Sequence, residues 1–328
     1  MKTKMTFRGK CVIFLAAIIL IAIVIMVRNH SKETTPVGKL NTPSAAVTTT
    51  MYVQTMSPVV TTTAVPMISS PSCSAAAIYC VEDKQLLYSD RIDSRVAPAS
   101  LTKMLTASVA LKYMNSSDVM TVGSEQYLVQ PYSSLCGLQT GTSMTLSDLI
   151  SGLMMASGND AAYTIAVSVA RNQQPAVEMS DTEAVSYFCD LMNKFALEIG
   201  MTCSHFTTPD GWDDAFQYTT VSDLLILAEY VLNVPEIRQA SGTYTKSVQA
   251  VTGEVYEWTD SNLLLDPYGS FYCPNAIGIK TGTTLQAGNC LVAAFSVNNK
   301  TYITAVCGCN SDSDRYDLTL KLFSSIPQ

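Results

Sequence analysis

The sequence predicts an α+β fold in which one antiparallel sheet is assembled from both ends of a domain, with a mostly helical lobe inserted between them. Three observations carry this. Strand-like segments lie near residue 75 and again beyond residue 276, helix-period segments fill the stretch between, and one last helix closes the chain. Taken in order, 75–81 reads as a strand and 84–88 as the return of a hairpin. Helix-compatible apolar spacing follows over 101–114, 146–155, 160–170, 182–199 and 222–232, several of these segments being opened by capping residues. Strands return at 276–281, 289–297 and 302–308, separated by Gly- or Asn-rich turns, and 314–323 reads as a helix. A cleft between sheet and lobe is the natural place for a site.

Before this domain, Lys2, Lys4, Arg8 and Lys10 precede an uninterrupted apolar run at 11–27, which Arg28 and Lys32 follow. At about 1.5 Å per residue the run reaches the short end of what spans a hydrocarbon core. It closes on Val24, Ile25, Met26 and Val27 rather than on the small residues of a cleavage site, which favours a retained anchor over a cleaved signal. The excess of basic residues ahead of the run puts 1–10 in the cytoplasm and the rest outside. Residues 28–72 are rich in Thr, Ser, Pro and Val and show no sustained period of 2 or 3.6, the composition of an extended linker. The domain expected to carry the chemistry is 73–328.

Net charge is −7 over 328 residues, and no segment supplies the clustered Lys and Arg that phosphate binding needs, so a nucleic-acid partner is set aside. Of ten cysteines, one lies in the apolar run; the remaining nine are an odd set, leaving at least one thiol unpaired. No CxxC or Cys/His cluster suggests a metal, and no cofactor is called for. Cys307 and Cys309, two apart on a predicted strand, are expected to share a face and to pack rather than chelate.

Three short motifs occur in order: Ser100-Leu101-Thr102-Lys103, Ser157-Gly158-Asn159 and Lys280-Thr281-Gly282. Ser100 and Lys103, three apart at the start of a helix opened by Pro98, project from one face as a nucleophile beside a base. Burial, a second cation at Lys280 and the positive end of the helix all disfavour charge on Lys103, which makes it the general base for the Ser100 hydroxyl. Ser157 is expected to relay the proton to a leaving amine, and Asn159 to hold a substrate amide. The strand carrying Lys280, Thr281, Gly282 and Thr283 has glycines that let another backbone lie close, so a peptide can add as an extra strand. In that pose the N–H groups of Ser100 and Thr283 form an oxyanion hole.

Extended, these motifs are Arg95-Val96-Ala97-Pro98-Ala99-Ser100-Leu101-Thr102-Lys103, Met155-Ala156-Ser157-Gly158-Asn159-Asp160-Ala161-Ala162, and Gly278-Ile279-Lys280-Thr281-Gly282-Thr283-Thr284 with Ala287-Gly288-Asn289-Cys290-Leu291. So written, they resemble the D-alanyl-D-alanine carboxypeptidases, the low-molecular-mass penicillin-binding proteins. Leu197-Glu198-Ile199-Gly200-Met201, His205-Phe206 and Pro209-Asp210-Gly211 are similar to theirs as well. The resemblance implies a β-lactamase/transpeptidase-like fold, removal of the terminal D-Ala from peptidoglycan stem pentapeptides through an acyl-enzyme on Ser100, and β-lactams as covalent inhibitors. It also implies that Arg315, opening the last helix, holds the substrate's terminal carboxylate, a task suited to a bidentate guanidinium. The bland alternative is an ion pair between Arg315 and Asp312 or Asp317. The second small β-domain and carboxyl-terminal amphipathic helix of many relatives are not seen in the sequence.

Other readings share parts of this pattern. A β-lactamase needs a route for rapid deacylation, but the Glu229-to-Asn233 match falls at the end of a predicted helix far beyond Ser157. An endopeptidase or transpeptidase acting on cross-links, or a β-lactam or muropeptide sensor that does not turn over, stays open, although ten residues ahead of the apolar run are too few for a signalling domain. For a Ser-His-Asp triad the domain offers His205, which reads as a structural hydrogen-bonding residue, and no G-x-S-x-G elbow accompanies it.

Overall fold

The computed structural model describes residues 72–326; the expected tail, apolar run and all but the last residue of the linker lie outside them. Among the described residues no helix is long and apolar enough to cross a membrane.

β1 (Ala75–Cys80) is buried at every position. That pattern belongs to a strand covered on both faces, here with β2 (Gln85–Asp90) paired along one edge. A short 3-10 turn, Ala99–Leu101, then leads into α1 (Thr102–Tyr113), whose first nine residues are all buried. Such a helix belongs inside a core rather than on its surface. The ribbon β3 (Val119–Thr121) and β4 (Ser143–Thr145) precedes α2 (Leu146–Met154), α3 (Asn159–Gln173), α4 (Asp181–Glu198), α5 (Val221–Leu232) and α6 (Pro235–Ser241). Caps fix several starts. Thr145 accepts the N–H of Asp148, Thr220 that of Asp223, and Ser180 forms a reciprocal box with Glu183, each cap contributing about 1 kcal/mol.

The hairpin β5 (Thr245–Gln249) and β6 (Val255–Thr259) returns the chain to the sheet, which β7 (Ala276–Thr284), β8 (Gly288–Val297) and β9 (Lys300–Cys309) complete before α7 (Asp312–Ser324). The five strands run β2-β1-β9-β8-β7, every neighbour antiparallel. The first strand of the domain thus pairs with its last, as the sequence predicts, and β7 is left as an edge. One sheet face, with Ala75, Ala77, Ile303 and Ala305, packs on the helical lobe. The opposite face carries Ile78, Val306, Leu291 and Phe295 against Leu318, Leu322 and Tyr316 of α7.

Cys73 and Cys309 form a disulfide across a sequence separation of 236, tying the start of the sheet to its end. Closing so long a loop restricts the unfolded chain by about 5 kcal/mol in the chain-entropy treatment. The expectation that Cys307 and Cys309 share a face is corrected: Cys307 packs on the lobe side and Cys309 on the α7 side. Gly308, at φ +68°, and the register shift between Asn289 and Leu291 insert a bulge that reverses the alternation.

Candidate active site

The 3-10 turn that carries Ser100 is held in an uncommon backbone state. Ala99 has φ +48°, in the left-handed region that a non-glycine residue visits only when its surroundings enforce it. Two glycines supply the enforcement. Gly211, at φ +90°, lies so close beneath the turn that a Cβ there would sit 1.8 Å from the carbonyl oxygen of Ala99. A Cβ on Gly282 would meet the Ser100 nitrogen at 3.1 Å, so β7 passes directly alongside the turn. Ser100 and the Lys280-Thr281-Gly282 strand are therefore brought together by close backbone contact that side chains would prevent.

Lys103 is fully buried and bridges two elements: Nζ donates to Ser100 Oγ at 2.8 Å and to the backbone oxygen of Asp210 at 2.8 Å. Burial lowers its pKa to about 8, against the opposing pull of Asp210, Asp160 and Cys136. Burial is thus the leading cause among the three expected influences. Repulsion between the two ammonium groups acts on Lys280, which burial, Lys103 and Arg315 bring down to about 7 while Asp260 draws it up.

Asp210 is the residue that sequence reasoning left without a task. Its backbone oxygen holds Lys103, and its carboxylate accepts from Asn159 Nδ2 at 2.6 Å, joining the first motif to the second. A Pro-Asp-Gly turn was the available signal, but nothing in it announces two partners so distant in sequence. Ser157 is 7 % exposed and left-handed at φ +55°, so both hydroxyl residues of the first two motifs lie at or next to a strained backbone position. Asn159 opens α3, its N–H bonded to the oxygen of Ser134. One N–H of its amide is used by Asp210, leaving a second donor and the side-chain oxygen. Asp160 accepts the N–H groups of Cys136, Gly137 and Leu138 at 2.8–2.9 Å, which fixes the preceding loop over the start of α3.

On β7, Thr281 Oγ1 meets Ser261 Oγ at 2.7 Å, and Thr283 Oγ1 donates to Asn289 Oδ1 at 3.2 Å. Lys280 is 1 % exposed, and its Nζ has no hydrogen-bond partner. Arg315 reaches this strand from α7: it donates to Gly282 O, Thr283 Oγ1 and Cys290 O at 3.1–3.3 Å and pairs with Asp312. The ion pair with Asp312 is therefore present, and so is a link from the guanidinium to Thr283.

The competing motifs fall elsewhere. Glu229 pairs with Lys84, and Asn233 bonds back to the oxygen of Glu229 on α5. His205 Nδ1 bonds to Phe216 O at 2.9 Å while its backbone pairs with Tyr218, which is structural work.

Comparisons with known proteins bear on the family and the fold. The profile of a family described as D-alanyl-D-alanine carboxypeptidase matches residues 61–311. DacF of Bacillus subtilis, a D-alanyl-D-alanine carboxypeptidase, is 27 % identical over 234 residues, 70 % of this chain and 56 % of its own length. The D-alanyl-D-alanine carboxypeptidase of Streptomyces sp. strain K15 is 30 % identical over 250 residues, 73 % of this chain and 82 % of its own length. The chain spans about half the length of the first curated relatives it matches. Among solved structures, the Streptomyces K15 DD-transpeptidase superposes with a TM-score of 0.70 at 28 % identity, covering 79 % of this chain and 98 % of that one. The expected transpeptidase-like α+β fold is thus the one observed, and the chain belongs to the D-alanyl-D-alanine carboxypeptidase family.

Proposed function

We propose that this protein is a serine-type D-Ala-D-Ala carboxypeptidase that removes the terminal D-Ala from peptidoglycan stem pentapeptides. The observation that carries the reading is the 2.8 Å contact between Ser100 Oγ and the buried Nζ of Lys103, a base whose pKa lies near 8. Neutral Lys103 takes the hydroxyl proton as Ser100 Oγ attacks the carbonyl of the penultimate D-Ala. The resulting oxyanion accepts hydrogen bonds from the N–H groups of Ser100 and Thr283, and Ser157 passes the proton to the departing D-Ala amine. Water then attacks the acyl-enzyme with Lys103 again as base, which releases the shortened peptide and restores the Ser100 hydroxyl.

Asn159, Lys280, Thr281, Gly282 and Thr283 line the strand-addition site for the peptide, whose terminal carboxylate is drawn by Lys280 and by the Thr283 end that Arg315 supports. β-Lactams enter the same site and acylate Ser100. Arg315→Ala is expected to reduce peptide turnover much more than Ser100 acylation by an activated ester lacking that carboxylate, a ratio read by parallel kinetics. Equal losses would instead make Arg315 a support for Thr283 alone.

The apolar run at 11–27 is proposed as a single-pass anchor holding the catalytic domain outside the cell membrane, with 28–72 as its tether to the wall. The defining experiment supplies the protein with a stem pentapeptide and, separately, with cross-linked muropeptides. Release of D-Ala from the pentapeptide as the main product is expected. Cleavage or formation of cross-links alone would replace this reading with an endopeptidase or transpeptidase, and stable acylation without turnover would point to a sensor.

A further inference from the structure

The loop that follows Asp210 makes a contact with β7 that has no part in the scheme above. Two residues beyond Gly211, Asp213 places its carboxylate against the turn between β7 and β8. Its Oδ1 accepts the hydroxyl of Thr284 at 2.5 Å, and its Oδ2 accepts the N–H of Gln286 at 3.0 Å. The Thr284 hydroxyl oxygen in turn accepts the N–H of Ala287 at 3.0 Å, so the turn is wrapped around one side chain. Thr284 is the last residue of β7, next to Thr283, and it pairs with Gly288 across the hairpin. Leu285, at the tip, projects fully into solvent.

Asp213 sits in a loop that is itself held fast. The Trp212 N–H donates to Asp210 Oδ1 at 3.1 Å, and the oxygen of Trp212 accepts from Gln217 Nε2 at 2.8 Å. Gln217 is buried, and its Oε1 accepts the N–H groups of Thr207 and Thr208, each at 3.0 Å. The segment from Asp210 to Asp213 thus touches all three motifs. The oxygen of Asp210 holds Lys103, its carboxylate holds Asn159, Gly211 lies under Ala99, and Asp213 holds the end of the strand that carries Lys280. Among the described residues β7 pairs within the sheet with β8 alone, so its end depends on contacts of this kind for its place.

We propose that Asp213 is a positioning residue that locks the end of β7 to the loop supporting Ser100, and so fixes the Thr283 N–H relative to the Ser100 N–H. It rests on the reading of those two N–H groups as the oxyanion hole. Rates at such a site are steep in geometry: a misplacement of about 1 Å costs on the order of 10²-fold, and a donor removed outright about 10²–10³-fold. Asp213 acts on that donor through the neighbouring residue, so a smaller loss is expected.

Asp213→Ala is the direct test, read with a chromogenic cephalosporin as the limiting rate constant of acylation and the dissociation constant of the complex that precedes it. Active sites are counted by burst titration, so that unfolded molecules enter neither constant. The limiting rate constant should fall about tenfold, deacylation should slow by a similar factor because the same N–H groups serve both steps, and the dissociation constant should change less than about twofold. Thr284→Val removes the other half of the contact and should slow the same step, and the loss in the double variant should be smaller than the product of the two single losses. Exchange of the Gln286 amide, followed by NMR, requires no chemistry and should be faster in Asp213→Ala than in the wild type. Rate constants per active site that stay unchanged, whatever happens to the melting temperature, overturn the proposal, and so do single losses that simply multiply or an exchange rate that does not move. A wild type that no β-lactam acylates would bring down the reading of Ser100 and the proposal with it, while the amide exchange would still show whether Asp213 holds the turn.

Discussion

Fluorescent penicillin is expected to label the wild-type protein covalently and to leave Ser100→Ala unlabelled on a denaturing gel. The magnitude follows from what the variant lacks. Without Oγ there is no atom for the lactam carbonyl to bond to, while the buried turn around it, from Ala99 to Leu101, loses one hydroxyl that projects toward Lys103 and little else. The variant should therefore fold, and its melting temperature should stay close to that of the wild type. Undiminished labelling of Ser100→Ala would remove Ser100 from the reaction and with it the assignment of Lys103.

The second large effect is expected at Lys103. Lys103→Arg keeps a cation and a donor, yet guanidinium stays protonated throughout the pH range in which the protein folds, so the proton acceptor is lost. Acylation should drop by at least about 10⁴-fold and stay low at every pH, which stopped-flow measurement with a chromogenic β-lactam reads directly. In the wild type the sign of the pH dependence is set by the depressed pKa. Below about 8 the lysine gains its proton, so the rate should fall roughly tenfold for each pH unit lost, until other groups intervene. An Arg variant that still acylates near neutrality would show that the hydroxyl proton leaves by another route.

Most of the architecture could be read from the chain because it rests on local periodicity. The strands at 75–81 and beyond 276, the five long helices and the closing helix all recur in the structure within a few residues. The β5–β6 hairpin has a weaker sequence signal, Val248 and Trp258 standing between polar neighbours on either side of a Thr-Gly turn; in the structure these two are the buried positions. The three motifs named groups that the structure brings together, with Ser100 beside Lys103 and the β7 strand alongside. Their supports were less accessible. Asp210 is a single carboxylate whose significance lies in partners far away in sequence, and Cys309 changes face because of one residue, Gly308, whose φ no period encodes. Arg315, expected at the substrate carboxylate with Asp312 as the competing partner, is found paired with Asp312 and also donating to Thr283 Oγ1, a contact that no spacing in the sequence announces.

The interleaving of the sheet also orders events in time. As the chain emerges from synthesis, the turn bearing Ser100 appears early, but β7 and Arg315 of α7, which donates to Thr283, come near the end. β1 cannot take its interior place until β9 exists to pair with it, and the Cys73–Cys309 bond cannot close before both. A nascent chain thus carries Ser100 before the strand that lies alongside it exists. Contacts this distant in sequence form slowly, so acquisition of penicillin reactivity should be a late event that coincides with completion of the fold rather than with formation of the helical lobe.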